Sequence, residues 1–449
     1  MKILPLPPLN APLTKVIEIV ETSAFKHANE RHLLHYFLKE LGDLPTIVLE
    51  QLNHYLKSPT AEQYPNADAH MRLILGLNHK LKPPIQIADL IQVRQKFAIE
   101  MVAMQSPSAW QQANIDDTVK NKHSSNNNNT SAVSWQDKTI ANADGGEMII
   151  RCYHAESSTA RSNEQNHHNY NNHEEIVMLF FHGGGFCLGN VDTDHEFCHA
   201  VCAKTGWAIV SVDYRLAPEH PAPTAIRDCL ESYNWLAKHA HILGASSSRI
   251  ILAGDSSGGG LTALVAQQVS NATMNQDFDK QKYSSTLDDF TIDIFEQLQN
   301  LPRPLAQLLL YPVTDIGEDY PSWKLYGQGL ILDYNDIQVF HAAYLQDSAL
   351  AQPHALLSPL HGDNSQVCPS YIVAAELDIL RDEALVYAKQ LKNYSIDVQT
   401  HTVLGAPHGF IDLMSVHQGV GRETYNIIDK FAIFVRQIIN KETKTMTSK

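Results

Sequence analysis

Ile250-Ile251-Leu252-Ala253 is a short apolar run that ends in Gly254-Asp255-Ser256-Ser257-Gly258 and passes at once into the small-residue stretch Leu261-Thr262-Ala263-Leu264-Val265-Ala266. A Gly-x-Ser-x-Gly between a buried strand and a helix leaves the chain few options. The serine must occupy a sharp, strained turn, with glycine on either side so that neighbouring side chains do not clash. Such a turn lifts the Ser256 hydroxyl above the sheet. It faces the start of the next helix, where free N–H groups favour negative charge. A trypsin-like reading of Gly-Asp-Ser fails, because that family needs glycine where Ser257 stands. A hydroxyl presented in this way needs a base, an acid and an anion-holding group from elsewhere in the chain.

The segments around the elbow supply candidates. Ile176 to Phe181 is free of charge and reads as a buried strand. It runs into His182-Gly183-Gly184-Gly185, where three glycines allow N–H groups to approach a ligand. Gly184, Gly185 and Ser257 are therefore the expected oxyanion donors, and His182 reads as a structural hydrogen-bonding residue rather than a second base. Ala208 to Val212, Ala306 to Tyr311, Tyr371 to Ala375 and Val398 to Leu404 read as further strands. Glu376, Asp378 and Asp382 follow the third of these. Asp378 is favoured as the acid because it falls in the turn just past the strand, with Glu376 and Asp382 as alternatives. His408 lies in the loop after the last strand and is the expected base; His401 lies within that strand and is the weaker candidate. Alternating strands and helices, including helices at 197–204, 228–239 and 379–391, predict an α/β protein with a mostly parallel, doubly wound sheet. Ser256, Asp378 and His408 then meet at the carboxyl ends of its strands.

The rest of the chain surrounds that body. Segments 31–56 (broken at Pro45), 66–81 and 87–104 carry apolar residues at helical spacing. The last helix is expected at 424–439. Organisation is read as an N-terminal helical region over 1–118 contributing to a cap, a low-complexity linker over 119–133, and a catalytic α/β domain over 134–441. Within the last lie a cap segment at 316–345 and an insertion at 271–300, and residues 442–449 form a tail. The domain opens with a hairpin, Ser134 to Ala141 and Met148 to Tyr153. The polar tract 156–175 contains His167, His168 and His173, and a solvated loop is the simpler reading than a metal site.

The net charge of −15, without a basic block, argues against nucleic acid and anionic membrane surfaces. No stretch is long and apolar enough to predict a membrane span. The N-terminal segment makes a poor signal peptide, and the six cysteines include no Cys-x-x-Cys pair. Core thiols and a cytoplasmic location are expected.

The set of motifs resembles the bacterial hormone-sensitive-lipase-like family of carboxylesterases and lipases, named for Gly-Asp-x-Gly, within the α/β-hydrolase superfamily. It comprises His182-Gly183-Gly184-Gly185, Asp213-Tyr214-Arg215-Leu216-Ala217-Pro218-Glu219, Gly254-Asp255-Ser256-Ser257-Gly258-Gly259, Asp378 with Leu380-Arg381-Asp382-Glu383, and His408-Gly409-Phe410. Order and spacing fit across 146–440, and a likeness to lipases of the family extends into the N-terminal helices. The resemblance implies an eight-stranded, mostly parallel sheet with a helical cap and no cofactor or metal. It implies Ser256 as nucleophile, Asp378 as acid and His408 as base, with the glycine loop as oxyanion donor. The substrate it implies is a small-molecule ester or lipid with a short- to medium-chain acyl group, triacylglycerols included. Two positions depart from the family: Ser257 stands where alanine is usual, and Ile379 where proline is frequent. An amidase or peptidase with the same three groups, and a non-catalytic ligand-binding protein on this fold, are the competing readings.

Overall fold

The computed structural model describes residues 32–112, 132–142, 144–155, 175–274, 296–348, 350 and 352–447. Most of the 156–175 tract, with His167, His168 and His173, lies outside these residues, as do 275–295 of the expected insertion.

Eight strands form one sheet: β1 (Val133–Ala141), β2 (Glu147–Ala155), β3 (Val177–Phe181), β4 (Ala208–Asp213), β5 (Ile250–Asp255), β6 (Ala306–Leu310), β7 (Ser370–Leu377) and β8 (Val398–Pro407). The spatial order is β1-β2-β4-β3-β5-β6-β7-β8. β1 and β2 pair antiparallel, as do β2 and β4. From β4 through β8 every pairing is parallel. The β1–β2 hairpin closes on Asn142, whose side-chain oxygen accepts the N–H groups of Asp144 and Gly146.

The apolar runs become central strands because helices cover both faces of a parallel sheet. β3 and β6 are buried throughout. Successive residues of β3 point to opposite cores: Val177, Leu179 and Phe181 to one, Met178 and Phe180 to the other.

The helices of the N-terminal region are α1 (Leu33–Gly42), α2 (Thr46–Leu56), α3 (Ala69–Leu81) and α4 (Leu90–Met104). Pro45 separates the first two. Asp68 caps α3 by accepting the N–H of Met71 at 2.8 Å, so that helix starts three residues later than the apolar spacing suggests. Leu41 of α1, Leu49 of α2 and Leu75 of α3 share a core with the second face of the sheet. That face is also covered by α5 (His195–Thr205) and α11 (Gln418–Thr447). The first face packs against α6 (Thr224–His239), α7 (Ser256–Met274) and α10 (Arg381–Asn393). After β6 come α8 (Pro321–Tyr326) and α9 (Tyr334–Leu345), inside the segment expected to belong to a cap.

Several boundaries differ from expectation for local reasons. β1 begins at Val133, inside the expected linker, because Val133 pairs with Ala155. α6 starts at Thr224 rather than 228, since Ala225 and Ile226 are buried in the core behind the proline-rich loop. β8 runs on to Pro407, past a register shift opposite Ala375 and Leu377, and so delivers His408 directly from the strand end. α10 starts at Arg381, because Asp378 folds the preceding residues into a turn that accepts Leu380 N–H on its side chain and Arg381 N–H on its carbonyl.

Candidate active site

β5 ends at Asp255 and α7 begins at Ser256, with no residue between them. Ser256 has φ +52°, the strained conformation expected of the elbow. The flanking glycines are required by close approach. A β-carbon at Gly254 would collide with the carbonyl of Gly258, and one at Gly258 with the carbonyls of Phe181 and His182. The elbow is thus pressed against the end of β3.

Asp378 stands at the end of β7 and His408 at the end of β8. The imidazole of His408 bridges the other two groups. Its Nε2 lies 2.8 Å from Ser256 Oγ and its Nδ1 lies 2.9 Å from Asp378 Oδ2. All three residues are buried. Tyr311, at the end of β6, sets its ring edge-on to the imidazole at 4.9 Å. The alternative acids face elsewhere. Glu376 accepts Asn66 Nδ2 at 2.8 Å and Gly405 N–H at 2.6 Å, and Asp382 accepts Ser322 N–H at 2.9 Å. His401 pairs with Glu423 at 3.3 Å.

The glycine loop lies beside the elbow. Gly184 and Gly185 have φ +114° and +62°, conformations only glycine adopts without strain. No hydrogen bond among the described residues takes up their N–H groups. Gly184 instead uses its carbonyl, which accepts Cys187 N–H and Leu188 N–H at 3.1 and 2.8 Å. His182 is structural in its geometry: fully buried, stacked on Tyr214 at 4.3 Å, with Nδ1 2.8 Å from the Gly183 carbonyl. Burial pulls its pKa down to about 4, so it is a neutral imidazole near neutral pH.

A group of acids lies behind the elbow. Burial, reinforced by Asp194 and Asp412, pushes the Asp255 carboxyl well above its ordinary range. Burial alone lifts Asp194 and Glu196 to about 7. Glu196 accepts Ser106 N–H at 3.2 Å and Ser415 Oγ–H at 2.8 Å.

With a hydroxyl, an imidazole and a carboxylate in series, and free N–H groups beside the hydroxyl, the site can do acyl transfer. The alpha/beta hydrolase fold family matches residues 178–412. The chain belongs to that family. The hydrolase is 56% identical to Lipase 2 of Moraxella sp. (strain TA144) over 443 residues, 98% of both chains. It is 35% identical to the carboxylic ester hydrolase LipN of Mycobacterium tuberculosis, over 54% of this chain and 59% of that one. Among solved structures it is similar to an esterase of Pyrobaculum calidifontis, with a TM-score of 0.57 and 25% identity over 78% of this chain and 94% of that one. The hormone-sensitive-lipase-like resemblance read from the motifs therefore holds, and for Lipase 2 it extends through the N-terminal helices. Among the described residues, no helix of the hydrolase is long and apolar enough to cross a membrane, and no group of histidine, cysteine or acidic side chains is arranged to hold a metal.

The motifs did not point to every residue that shapes the site. Phe340 of α9, whose ring lies on Gly185, has no motif around it. Neither has Ser322 of α8, whose hydroxyl donates to the Ile379 carbonyl at 2.6 Å, next to Asp378. Tyr311 was visible as a strand end, but its φ of +35° and its contact with His408 were not.

Proposed function

We propose that the chain is a serine carboxylic ester hydrolase that cleaves short- to medium-chain acyl esters, triacylglycerols among them, through an acyl-serine intermediate. The single observation carrying this reading is the placement of His408 between Ser256 Oγ, at 2.8 Å, and Asp378 Oδ2, at 2.9 Å. As Ser256 Oγ attacks the acyl carbon, its proton passes to His408 Nε2. Asp378 fixes the imidazole tautomer and stabilises the positive charge that forms. The carbonyl oxygen, now negative, is held by the N–H groups of Gly184, Gly185 and Ser257. Collapse of this intermediate breaks the ester C–O bond, and His408 returns the proton to the departing alkoxide. Water then enters, loses a proton to His408 and attacks the acyl-serine, releasing the acid and restoring the Ser256 hydroxyl.

The mechanism requires no cofactor. Segment 316–345 and the N-terminal helices supply the cap in this reading, and Phe340 of α9 narrows the space beside the oxyanion loop. The deciding experiment is hydrolysis of p-nitrophenyl esters from acetate to palmitate, beside emulsified tributyrin, for the wild type and Ser256→Ala. Turnover greatest at short to medium chains, and absent in Ser256→Ala, is the expected result. Undiminished turnover by Ser256→Ala would remove the mechanism.

A further inference from the structure

We propose that Arg94, on α4 of the N-terminal region, is a positioning residue that holds the oxyanion loop in its working shape. The inference rests on the ester-hydrolase reading and adds to it a residue outside the matched family segment of 178–412.

The glycine loop is a tight turn, and at its start the His182 carbonyl accepts the Tyr214 hydroxyl at 2.6 Å. The carbonyl of Gly184 accepts Cys187 N–H and Leu188 N–H. Phe186 sits at φ +64°, unfavourable for a residue with a bulky side chain. Its carbonyl accepts Ala217 N–H at 2.9 Å, which ties the loop to the segment after β4. Arg94 closes the same joint from the other side. Its Nε donates to the Cys187 carbonyl at 2.7 Å, and one terminal nitrogen donates to the Ala217 carbonyl at 2.8 Å. Glu219 holds the guanidinium in a two-pronged pair at 2.9 and 2.8 Å.

Cys187 and Ala217 are both fully buried. Without Arg94, two backbone carbonyls in a largely buried joint would lose their charged donor, and the backbone would be free to shift. Cys187 is two residues from Gly185. A shift there turns the peptide groups whose N–H bonds must face the oxyanion, and transition-state stabilisation is sensitive to such displacement. Lysine cannot substitute, because serving two carbonyls and a bidentate carboxylate takes the planar guanidinium fork.

The test measures kcat per active site on p-nitrophenyl butyrate, with sites counted by stoichiometric phosphonylation. It also measures the inhibition constant of an alkyl trifluoromethyl ketone. That ketone takes the Ser256 oxygen onto its carbonyl carbon, passes the hydroxyl proton to His408 and leaves a negative oxygen in the oxyanion hole. For Arg94→Ala, kcat per site should fall about tenfold to a hundredfold, with KM changed by less than about threefold. The inhibition constant should rise by the same factor as kcat falls, Arg94→Lys should restore little, and added ethylguanidinium should recover part of the rate. Unchanged kcat per titrated site would overturn the proposal, as would a loss carried wholly by KM or by fewer titratable sites. If Arg94→Ala does not fold, Glu219→Gln, which takes away the carboxylate charge that aims the guanidinium at both carbonyls, decides instead. A severalfold fall in kcat matched by the inhibition constant supports the proposal, and no fall overturns it. Ser256→Ala separates the two readings. A wild type inactive on esters, or an active Ser256→Ala, overturns both the ester-hydrolase reading and this one. Normal behaviour of those two with a fully active Arg94→Ala overturns only this one.

Discussion

The ring of Phe340 lies directly on Gly185, so close that a β-carbon there would collide with it. A helix beyond β6 thus touches the loop proposed to carry the oxyanion donors. Gly185→Ala would meet both that ring and a backbone at φ +62°. We expect kcat to fall by about 100-fold or more with the fold retained, checked by steady-state kinetics beside circular dichroism. Phe340→Ala in the wild-type background should move preference toward longer acyl chains in the ester series. An unchanged chain-length profile would show that this ring borders no substrate.

Asp378→Asn keeps the size of the acid and removes its charge. The amide would favour the wrong imidazole tautomer, and kcat should fall about 10⁴-fold without loss of thermal stability. Glu376→Gln should stay within about tenfold of wild type, because Glu376 faces Asn66 and Gly405 rather than the imidazole. Both are read by initial rates at saturating ester.

Ser322 and Asp382 hold the turn on which Asp378 sits. The Ser322 hydroxyl donates to the Ile379 carbonyl at 2.6 Å, and its N–H donates to Asp382 at 2.9 Å. Ser322→Ala removes two hydrogen bonds of the hydroxyl, the one it donates to Ile379 and the one it accepts from Asp382 N–H at 3.3 Å, together worth about 1 to 2 kcal/mol of stability. The melting temperature should drop by a few degrees, and kcat should fall severalfold while KM stays near wild type.

Glu196 gives a stability trend opposite to that of an ion-paired acid. Burial raises its pKa to about 7, whereas in the unfolded chain it titrates near 4.5. Between those values the folded state holds a proton that the unfolded state has released. The contribution of Glu196 to stability is therefore greatest below pH 4.5 and declines as pH rises to about 7, after which it is level. Glu196→Gln should remove that decline and raise stability at pH 8 by about 1 to 3 kcal/mol relative to wild type. Urea unfolding at pH 5 and pH 8 measures it, and equal effects at the two pH values would refute it.

The elbow, the glycine loop and the position of His408 were legible because each is a short local pattern at the end of a recognisable strand. The choice of Asp378 as the carboxylate facing His408 was less so. Glu376, Asp378 and Asp382 lie within seven positions, and only side-chain direction separates them. The start of α10 was misplaced for a related reason: Ile379 and Leu380 are apolar and read as helix, but the Asp378 turn takes up the N–H groups of Leu380 and Arg381. Thr224 was hidden behind a run of prolines. Arg94 was beyond reach altogether. Two of its partners are backbone carbonyls, which leave no mark on residue type, and nearly a hundred positions separate it from the loop it touches.

The apolar cluster that joins Leu41, Leu75, Phe180, Leu310 and Ile428 has a practical corollary. The helices ahead of the first strand are part of the foundation, whatever they add above it in the proposed cap. A truncated gene product starting at the hairpin would present a greasy flank to solvent and stick to its neighbours. Swapping this segment for a cousin's, in order to retune which esters are accepted, would also rebuild one wall of the body, so the graft must be matched to Phe180 and Leu310 before it is matched to any substrate.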